Sequence, residues 1–460
     1  MKRREFLFSL ASAVSPRPNI VLILADDLGS ADLSCYGSKE LRTPAIDSLA
    51  VAGLRFPQAY ANAPECTPSR CALLTGRYQQ RVGGLECAIG LGNVGRYDEA
   101  VWLQKRGELG LPASESTLPK LLKARGYDTA IFGKWHLGYL DKFGPNRHGF
   151  DEFFGILGGA ADYFRYTEED KAMVLRHNGK PVQTNGYLTD LVGQNALKWL
   201  KKRTNKKPFF LYVPFSAPHS PFQTREDETK AGVQWRGANR PALLKMIEQM
   251  DEQVGAILRQ IDEMGARENT IVLFMSDNGA PAGGSNAPLR GAKSSVYEGG
   301  IRMPLLVRWP GVLAPGSVTD QVTLMMDVTA TLAAAAGVAG AKFDGLDLRA
   351  EWRGERPLRK RTVFWRYKRE KNRRKAVRDG DWKLVSDTGK ESLFNLSTDP
   401  LEKENLSESN PAVAARLRGL LADWEKATAA LRLSDFPAEN GTSSLATPSA
   451  WVCEVMARLK

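Results

Sequence analysis

Residues 18–29 of this chain are Pro-Asn-Ile-Val-Leu-Ile-Leu-Ala-Asp-Asp-Leu-Gly. Residues 20–24 are apolar at every position, whereas a strand with one solvated face alternates apolar and polar residues. Such a run is typical of a strand that is buried on both faces, as in a parallel sheet. The acidic residues Asp26 and Asp27 follow it directly. The stretch therefore predicts a buried strand that ends in a pair of carboxylates.

Four more runs that are apolar at nearly every position follow along the chain, at residues 129–132, 209–213, 270–275 and 305–307. Helical segments lie between them. Residues 117–125 begin at a Ser-Thr cap and stop at a glycine, and residues 239–264 are amphipathic. Strands that alternate with helices predict an α/β domain. We expect a large mixed, mostly parallel sheet flanked by helices.

Polar side chains follow four of these runs, at the point where each strand would end. They are Asp26 and Asp27, Lys134 and His136, His219, and Asp277 and Asn278. In open α/β sheets the ligand site lies outside the carboxyl ends of the strands, so we expect these groups to converge there. The chain has only four histidines, and two of them occupy such positions.

Oxygen ligands dominate this predicted site. Asp26, Asp27, Asp277 and Asn278 would offer three carboxylates and an amide oxygen, a set that suits Ca²⁺ or Mg²⁺. The set contains no histidine or cysteine, which disfavours zinc, and the five cysteines show no zinc-site spacing. Aspartates at strand ends also serve as helix caps, so either pair alone would be weak evidence for a metal.

The composition is that of a soluble globular protein, with 43% hydrophobic and 25% charged residues. No apolar run approaches the roughly 20 residues that a membrane-spanning helix needs. Residues 1–16 contain paired arginines, a short apolar stretch and an Ala-Ser-Ala cleavage sequence. We therefore expect a signal peptide and an exported protein, with the paired arginines suggesting the twin-arginine route. The alternative is an uncleaved basic N-terminus.

A different pattern begins near residue 346. Residues 362–367 and 376–385 predict a hairpin around a basic loop at 368–375, with a further turn at Asp379-Gly380. A later Asn-Pro pair would cap a helix whose apolar stripe fits a face packed on a sheet. We expect four segments: a signal peptide at 1–16, a main domain at 17–345, a smaller α+β domain at 346–436, and a tail of unassigned role at 437–460.

Positive charge is concentrated in one segment. The formal net charge is +12, and residues 359–375 hold ten lysines or arginines against one glutamate. This density suggests a polyanionic partner, although such a run also fits a solvated loop. We expect self-repulsion to keep the loop at 368–375 extended and mobile.

Residues 66–77 are Cys-Thr-Pro-Ser-Arg-Cys-Ala-Leu-Leu-Thr-Gly-Arg. They resemble the signature of the sulfatases, in which Cys-x-Pro-Ser-Arg is followed by a short helix that ends in Thr-Gly-Arg. Other segments are similar to further blocks of that family in the same order, at residues 18–29, 43–50, 133–138, 217–220, 276–279, 298–304 and 393–400. The resemblance is nearest to the arylsulfatase A and N-acetylgalactosamine-6-sulfatase type. It implies an alkaline-phosphatase-like fold for the main domain.

The resemblance also implies a modified nucleophile. In that family the cysteine is oxidised to formylglycine by a maturation enzyme that reads the proline and the arginine, which places formylglycine at Cys66. One hydroxyl of the hydrated aldehyde attacks sulfur, and deprotonation of the other expels sulfate by regenerating the aldehyde. A serine or cysteine lacks this second step and would stay sulfated.

Each candidate residue receives a role from the resemblance. Arg70 would hold the formylglycine and the metal-site carboxylates, while Lys134 and Lys293 would bind sulfate oxygens. His136 would take the proton of the second hydroxyl, and His219 would protonate the leaving alcohol. One calcium ion, or Mg²⁺ in its place, would be bound by Asp26, Asp27, Cys66, Asp277 and Asn278.

The implied substrate is a sulfated polysaccharide or oligosaccharide, and no nucleic-acid partner is expected. Aryl sulfates are one alternative. A phosphonate or phosphodiester hydrolase of the same superfamily is another, because some of these share the cysteine signature. Phosphatase-type members carry Asp-His where this chain has Asp277-Asn278. An inactive glycan-binding relative would have lost a site residue, and all ten expected residues are present.

Overall fold

The computed structural model of the protein describes residues 17–434 and 436, apart from 91–96, 170, 205–206, 229–232, 234, 236 and 435. The predicted signal peptide at 1–16 and the tail at 437–460 lie outside the described residues, so both stay predictions. Within the described ranges, no helix is long and apolar enough to cross a membrane.

The strands, in chain order, are β1 (Asn19–Ala25), β2 (Leu54–Arg55), β3 (Ala59–Tyr60), β4 (Asp128–Phe132), β5 (Glu152–Ile156), β6 (Leu175–His177), β7 (Lys180–Pro181), β8 (Phe209–Pro214), β9 (Thr270–Ser276), β10 (Leu305–Arg308), β11 (Ser317–Val318), β12 (Thr323–Leu324), β13 (Thr362–Arg369), β14 (Asn372–Asp379), β15 (Trp382–Asp387) and β16 (Lys390–Asn395).

The α-helices are α1 (Pro44–Val51), α2 (Cys66–Thr75), α3 (Asp98–Lys105), α4 (Leu118–Ala124), α5 (Leu188–Leu200), α6 (Arg240–Glu263), α7 (Glu298–Ile301), α8 (Met325–Ala335), α9 (Arg349–Trp352) and α10 (Pro411–Ala427). Helix α6 packs on α1 and α5, and α2 packs on α4 and α8.

Ten of the described strands form one sheet in the order β11-β2-β10-β9-β1-β8-β4-β5-β6-β7. Its centre is parallel, because β1 pairs with β8 and β9 in the same direction, and β4 pairs in the same direction with β8 and β5. Strands β10 and β6 run antiparallel to their inner neighbours. The sheet is thus mixed and mostly parallel, as the sequence predicts.

All five apolar runs form buried strands, but the run at 305–307 is β10, which is antiparallel to β9 and not parallel as expected. An apolar run reports burial on both faces and carries no information about direction. The carboxyl ends of β1, β4, β8 and β9 meet at one edge of the sheet, where the predicted site residues follow.

The C-terminal part forms a four-stranded antiparallel sheet, in the order β13-β14-β15-β16, and α10 packs on β14 and β15. The predicted helix stripe is confirmed, since Leu417, Leu421 and Trp424 are buried. The turn after Asp379 is also confirmed, between β14 and β15. This sheet packs against the segment before α2, because the Trp365 indole donates to the carbonyl of Ala61. The boundary near residue 346 stays a prediction.

The prediction of a mobile loop at 368–375 is wrong. Strands β13 and β14 continue through it, and only Glu370 and Lys371 lie between them. The reason is that acidic side chains from other segments neutralise the positive charges. The ion pairs are Arg366 with Glu86 and Glu425, Lys368 with Glu86 and Glu99, Arg369 with Glu65, Arg374 with Asp387, and Lys375 with Glu425.

Candidate functional site

The predicted residues converge at the expected edge of the sheet. Nine of the ten form one network of side-chain contacts: Asp26, Asp27, Cys66, Arg70, Lys134, His219, Asp277, Asn278 and Lys293. The tenth, His136, joins this network through its backbone, because its carbonyl accepts the hydroxyl of Thr67 in the first turn of α2.

The acidic core comes from the ends of β1 and β9, which are adjacent strands. The backbone N–H of Asp27 donates to Asp277 Oδ1 at 3.1 Å, and Asn278 Nδ2 donates to Asp27 Oδ1 at 2.7 Å. One ligand atom each from Asp26, Asp27, Cys66 and Asp277 lie within 4.8 Å of one another. Asp27 has a φ of 67°, a left-handed conformation that turns the chain at the strand end.

These residues fit a hard divalent cation. Three carboxylates and one amide supply only oxygen donors, which are the ligands of Ca²⁺ and Mg²⁺. Asn278 Oδ1 is buried, and among the described residues it has no hydrogen-bond partner. A buried amide oxygen without a partner is costly, and a cation beside it would satisfy it.

Cationic side chains compensate the carboxylates. Burial raises the pKa of Asp26 to about 7, against the opposing charges of Lys134 and Arg70. Burial would also raise the pKa of Asp27, but the charges of Lys293 and His219 lower it well below its usual value. A metal ion bound at this cluster would therefore compete with Lys134 and Lys293 for the same carboxylates.

Helix α2 presents Cys66 and Arg70 on one face, because residues four apart lie one above the other. Cys66 Sγ lies 3.5 Å from Asp26 Oδ1. The Arg70 guanidinium lies 2.8 Å from Asp277 and donates to the carbonyl of Lys134 at 3.0 Å. Burial raises the pKa of the Cys66 thiol far above its ordinary value, so the unmodified side chain is a neutral thiol and a poor nucleophile.

The two lysines approach the cluster from different segments. Lys134 Nζ lies 2.5 Å from Asp26 Oδ2 and is fully buried. Lys293 Nζ lies 2.8 Å from the Asp27 carboxylate and 3.5 Å from Cys66 Sγ. Gly133, directly before the first lysine, has a φ of 133°, and a Cβ there would lie 1.9 Å from the carbonyl oxygen of Pro214. Only glycine lets the chain approach β8 this closely, where the backbone N–H of Lys134 donates to the carbonyl of Pro214 at 2.7 Å.

The ring of His136 is oriented by the backbone. Its Nε2 lies 2.6 Å from the carbonyl of Ile89, which can only accept, so Nε2 carries the proton. Its Nδ1 is buried, and no described residue hydrogen-bonds to it. Burial and the charge of Lys134 lower the pKa of His136 well below its usual value. His136 is therefore neutral, with Nδ1 available to accept a proton.

The ring of His219 lies between two acceptors. Its Nδ1 lies 2.5 Å from the carbonyl of Ser220, and its Nε2 lies 3.5 Å from Asp27 Oδ2. Burial lowers its pKa to about 3, against the raising effect of Asp27. Nδ1 therefore carries the proton of the neutral ring, and Nε2 faces the site.

Two residues that the sequence analysis missed hold these groups in place. The hydroxyl of Tyr163 lies within 2.9 Å of the carbonyls of Ser216 and His219, and so anchors the loop that carries His219. Glu65, directly before Cys66, is buried and accepts hydrogen bonds from several segments. In the sequence, its position directly before Cys66 was the one feature that pointed to a role at the site.

Comparison with known proteins gives matches over most of the chain. The family model named Sulfatase matches residues 18–338, and the model named N-sulphoglucosamine sulphohydrolase, C-terminal, matches residues 292–426. Human N-acetylgalactosamine-6-sulfatase is 37% identical over 362 residues, which cover 74% of this chain. The match spans 66% of that relative's own length, slightly under two thirds.

Two further proteins match over greater shares of their length. Human arylsulfatase A is 33% identical over 429 residues, covering 86% of this chain and 80% of the relative. Among solved structures, Ps i-CgsB in complex with k-i-k-neocarrahexaose is 32% identical with a TM-score of 0.79, covering 89% of this chain and 93% of that one.

Proposed function

Since this chain belongs to the sulfatase family and has its alkaline-phosphatase-like fold, we propose that it hydrolyses sulfate esters of sulfated glycans. The nucleophile would be formylglycine derived from Cys66, beside one bound calcium ion. The observation that carries the proposal is the position of Cys66 Sγ, 3.5 Å from both Asp26 Oδ1 and Lys293 Nζ. A nucleophile there has a cation on one side and the carboxylate cluster on the other.

The cation would be held by Asp26, Asp27, Asp277 and Asn278, together with residue 66. When bound, calcium supplies positive charge beside residue 66 and the sulfate oxygens. The orphaned Asn278 Oδ1 supports this ligand set. Asn278 also argues against a phosphatase-type site, where a histidine would occupy its position.

Lys134 and Lys293 would bind the oxygens of the sulfate group. The ammonium of Lys134, which follows β4, lies 2.5 Å from Asp26. The ammonium of Lys293, in the loop before α7, lies 2.8 Å from Asp27. Since Lys134 is fully buried and Lys293 is mostly buried, their charges act at a lower effective dielectric than in water. Arg70 would hold the carboxylates in place through its 2.8 Å contact with Asp277.

His136 and His219 would move protons. His136 Nδ1, which accepts no hydrogen bond from any described residue, belongs to a neutral ring, which suits removal of the proton from the second hydroxyl of the hydrated aldehyde. His219 Nε2 faces the site and would protonate the leaving alcohol. The negative charge of a bound sulfate ester would raise the pKa of His219, so the ring would take up a proton from solvent when the substrate binds.

A sulfated glycan is the substrate class that the surface supports. Two basic residues at the hairpin turn, Lys371 and Arg373, have no acidic partner among the described residues. The same hairpin contacts the segment before Cys66 through Arg369 and Glu65. Sulfate groups on neighbouring sugars could bind there. The names of the relatives, one an N-acetylgalactosamine-6-sulfatase and one holding an oligosaccharide, agree with this class.

A direct test compares wild-type protein with Cys66→Ala on defined sulfated oligosaccharides, p-nitrophenyl sulfate and a phenyl phosphonate ester. Mass spectrometry of the peptide spanning residue 66 should find the aldehyde in active protein. We expect sulfate release that the variant abolishes. Full activity with an intact thiol at residue 66 would refute the mechanism, and faster turnover of the phosphonate would refute the sulfatase assignment.

A further inference from the structure

Glu65 is the last residue before the nucleophile helix, and its side chain is fully buried. Its Oε1 accepts hydrogen bonds from the hydroxyl of Ser294 at 2.6 Å, the hydroxyl of Tyr367 at 2.9 Å and the guanidinium of Arg369 at 2.9 Å. Its Oε2 accepts the backbone N–H of Ala88 at 2.6 Å. Burial alone would raise its pKa, but the charges of Arg369 and Lys293 lower it, so the buried group is a carboxylate.

The bond to Ser294 ties Glu65 to the second lysine of the site. Ser294 directly follows Lys293 and has a φ of 71°, a strained conformation for a serine. Its backbone N–H donates to the carbonyl of Pro64 at 2.8 Å. Two bonds therefore join residues 64–65 to Ser294, immediately beside the pair in which Lys293 Nζ lies 3.5 Å from Cys66 Sγ.

The bonds to Tyr367 and Arg369 come from strand β13. Side chains two apart on a strand point to the same face, and Trp365, Tyr367 and Arg369 all face the segment before Cys66. Arg374, which pairs with Tyr367 across the hairpin, donates to the carbonyl of Ser294. The hairpin thus contacts the residue next to Cys66, which is Glu65, and the residue next to Lys293, which is Ser294.

A buried carboxylate needs charged partners, and its removal leaves Arg369 and two hydroxyl donors without their acceptor. Because one carboxylate joins the start of α2, the loop after Lys293 and the hairpin, its loss would let these three segments shift relative to one another. We propose that Glu65 is a positioning residue that sets the distance between residue 66 and Lys293. The inference rests on the proposed function, since it concerns the same site.

The hairpin offers a matched control on its opposite face. Glu86 is also buried, and its carboxylate accepts the guanidinium of Arg366 at 2.6 and 2.9 Å. It has no contact with Cys66, Lys293 or Ser294 in the part of the chain that the structure describes. Glu65→Gln and Glu86→Gln therefore each remove one buried carboxylate that pairs with an arginine of the same hairpin, and only Glu65 contacts the site.

The experiment measures three quantities for both variants: kcat/KM for p-nitrophenyl sulfate, the inhibition constant for inorganic sulfate, and Tm. We expect Glu65→Gln to lower kcat/KM about 10- to 100-fold and to weaken sulfate inhibition, because displaced Lys293 binds sulfate less well. Glu86→Gln should lower Tm and leave both kinetic quantities within about twofold of wild type. Mass spectrometry confirms equal formylglycine content.

Arg369 provides a second route if Glu65→Gln fails to fold. Arg369→Met should weaken sulfate inhibition, and Arg369→Lys should restore most of it by returning a positive charge to Glu65. Equal sulfate inhibition constants for wild type, Glu65→Gln and Arg369→Met would overturn the positioning role. Failure of the proposed function would be visible separately, in wild-type protein that neither turns over sulfate esters nor binds inorganic sulfate.

Discussion

The ammonium group of Lys293 lies 3.5 Å from the sulfur of Cys66, although the two residues are 227 positions apart in the chain. The same ammonium lies 2.8 Å from the carboxylate of Asp27. In the proposed function, a cation this close to residue 66 and to the carboxylates would be placed to receive a sulfate oxygen. The contact links the helix that carries the nucleophile to the loop before α7.

Lys293→Met tests this contact. The substitution keeps most of the length of the side chain and removes its charge, so we expect kcat/KM for sulfate esters to fall by about 10²- to 10³-fold. Lys201→Met, at the exposed end of α5 beyond the opposite edge of the sheet, should change little. Comparable activity in the two variants would show that Lys293 does not bind sulfate.

The metal site is best tested at Asp277. Because Asp277 also pairs with the buried Arg70 at 2.8 Å, Asp277→Ala would leave an uncompensated buried charge that costs about 3–5 kcal/mol. Asp277→Asn keeps the shape and a hydrogen-bond acceptor for Arg70. We expect it to lose calcium binding in titration calorimetry and nearly all turnover. Wild-type activity that survives exhaustive chelation would contradict the metal assignment.

Replacement of His219 should depend on the leaving group. An alcohol needs a proton to leave and a nitrophenolate does not, so we expect His219→Ala to slow glycan sulfates by about 10²- to 10⁴-fold and aryl sulfate much less. His177→Ala, at a half-exposed histidine, is the control. Equal losses on both substrates would rule out a general-acid role for His219.

Substitutions at the hairpin turn should change the kinetics of polymeric substrates only. We expect Lys371→Ser with Arg373→Ser to raise KM for a sulfated polysaccharide at low salt, with the effect shrinking as salt is added. Kinetics on p-nitrophenyl sulfate should stay unchanged. Lys201→Ser with Lys202→Ser removes the same charge at the far end of α5. If both double variants behave alike, the hairpin turn is not a polyanion site.

Acid should weaken the contact between α7 and the four-stranded C-terminal sheet, where Glu298 pairs with Lys383. Burial alone would raise the pKa of Glu298, but the charges of Lys383, Arg302 and Arg378 lower it to about 2. A carboxyl with a lowered folded pKa stabilises the fold above its unfolded pKa, and this stability is lost as pH falls through the folded value. We expect Glu298→Gln to lower Tm at neutral pH.

The difference in Tm between wild type and Glu298→Gln should shrink between about pH 5 and pH 2, because the wild-type carboxyl becomes protonated in that range. Thermal melts at several pH values measure it. Glu391→Gln, which breaks the exposed pair with Arg418, should have little effect at any pH. A difference that stays constant with pH would contradict the prediction.

Local sequence patterns determined the strands and the position of the site. Uninterrupted apolar runs fix where β1, β4, β8 and β9 form, because burial on both faces excludes polar residues. The residues after those runs then lie at one edge of the sheet through topology alone. The resemblance carried by the cysteine motif and its flanking blocks predicted the remaining candidate residues, and the structure places them in or beside the same cluster.

Only the tertiary structure decided which charges meet. The basic hairpin looks self-repelling in sequence, yet Glu86 lies 280 positions before Arg366 and neutralises it. Glu65 reads as an ordinary residue before Cys66, yet it accepts bonds from Ser294 and Tyr367, 229 and 302 positions away. Periodicity and propensity are local properties. An ion pair between distant segments is set by how the elements pack, which no local pattern encodes.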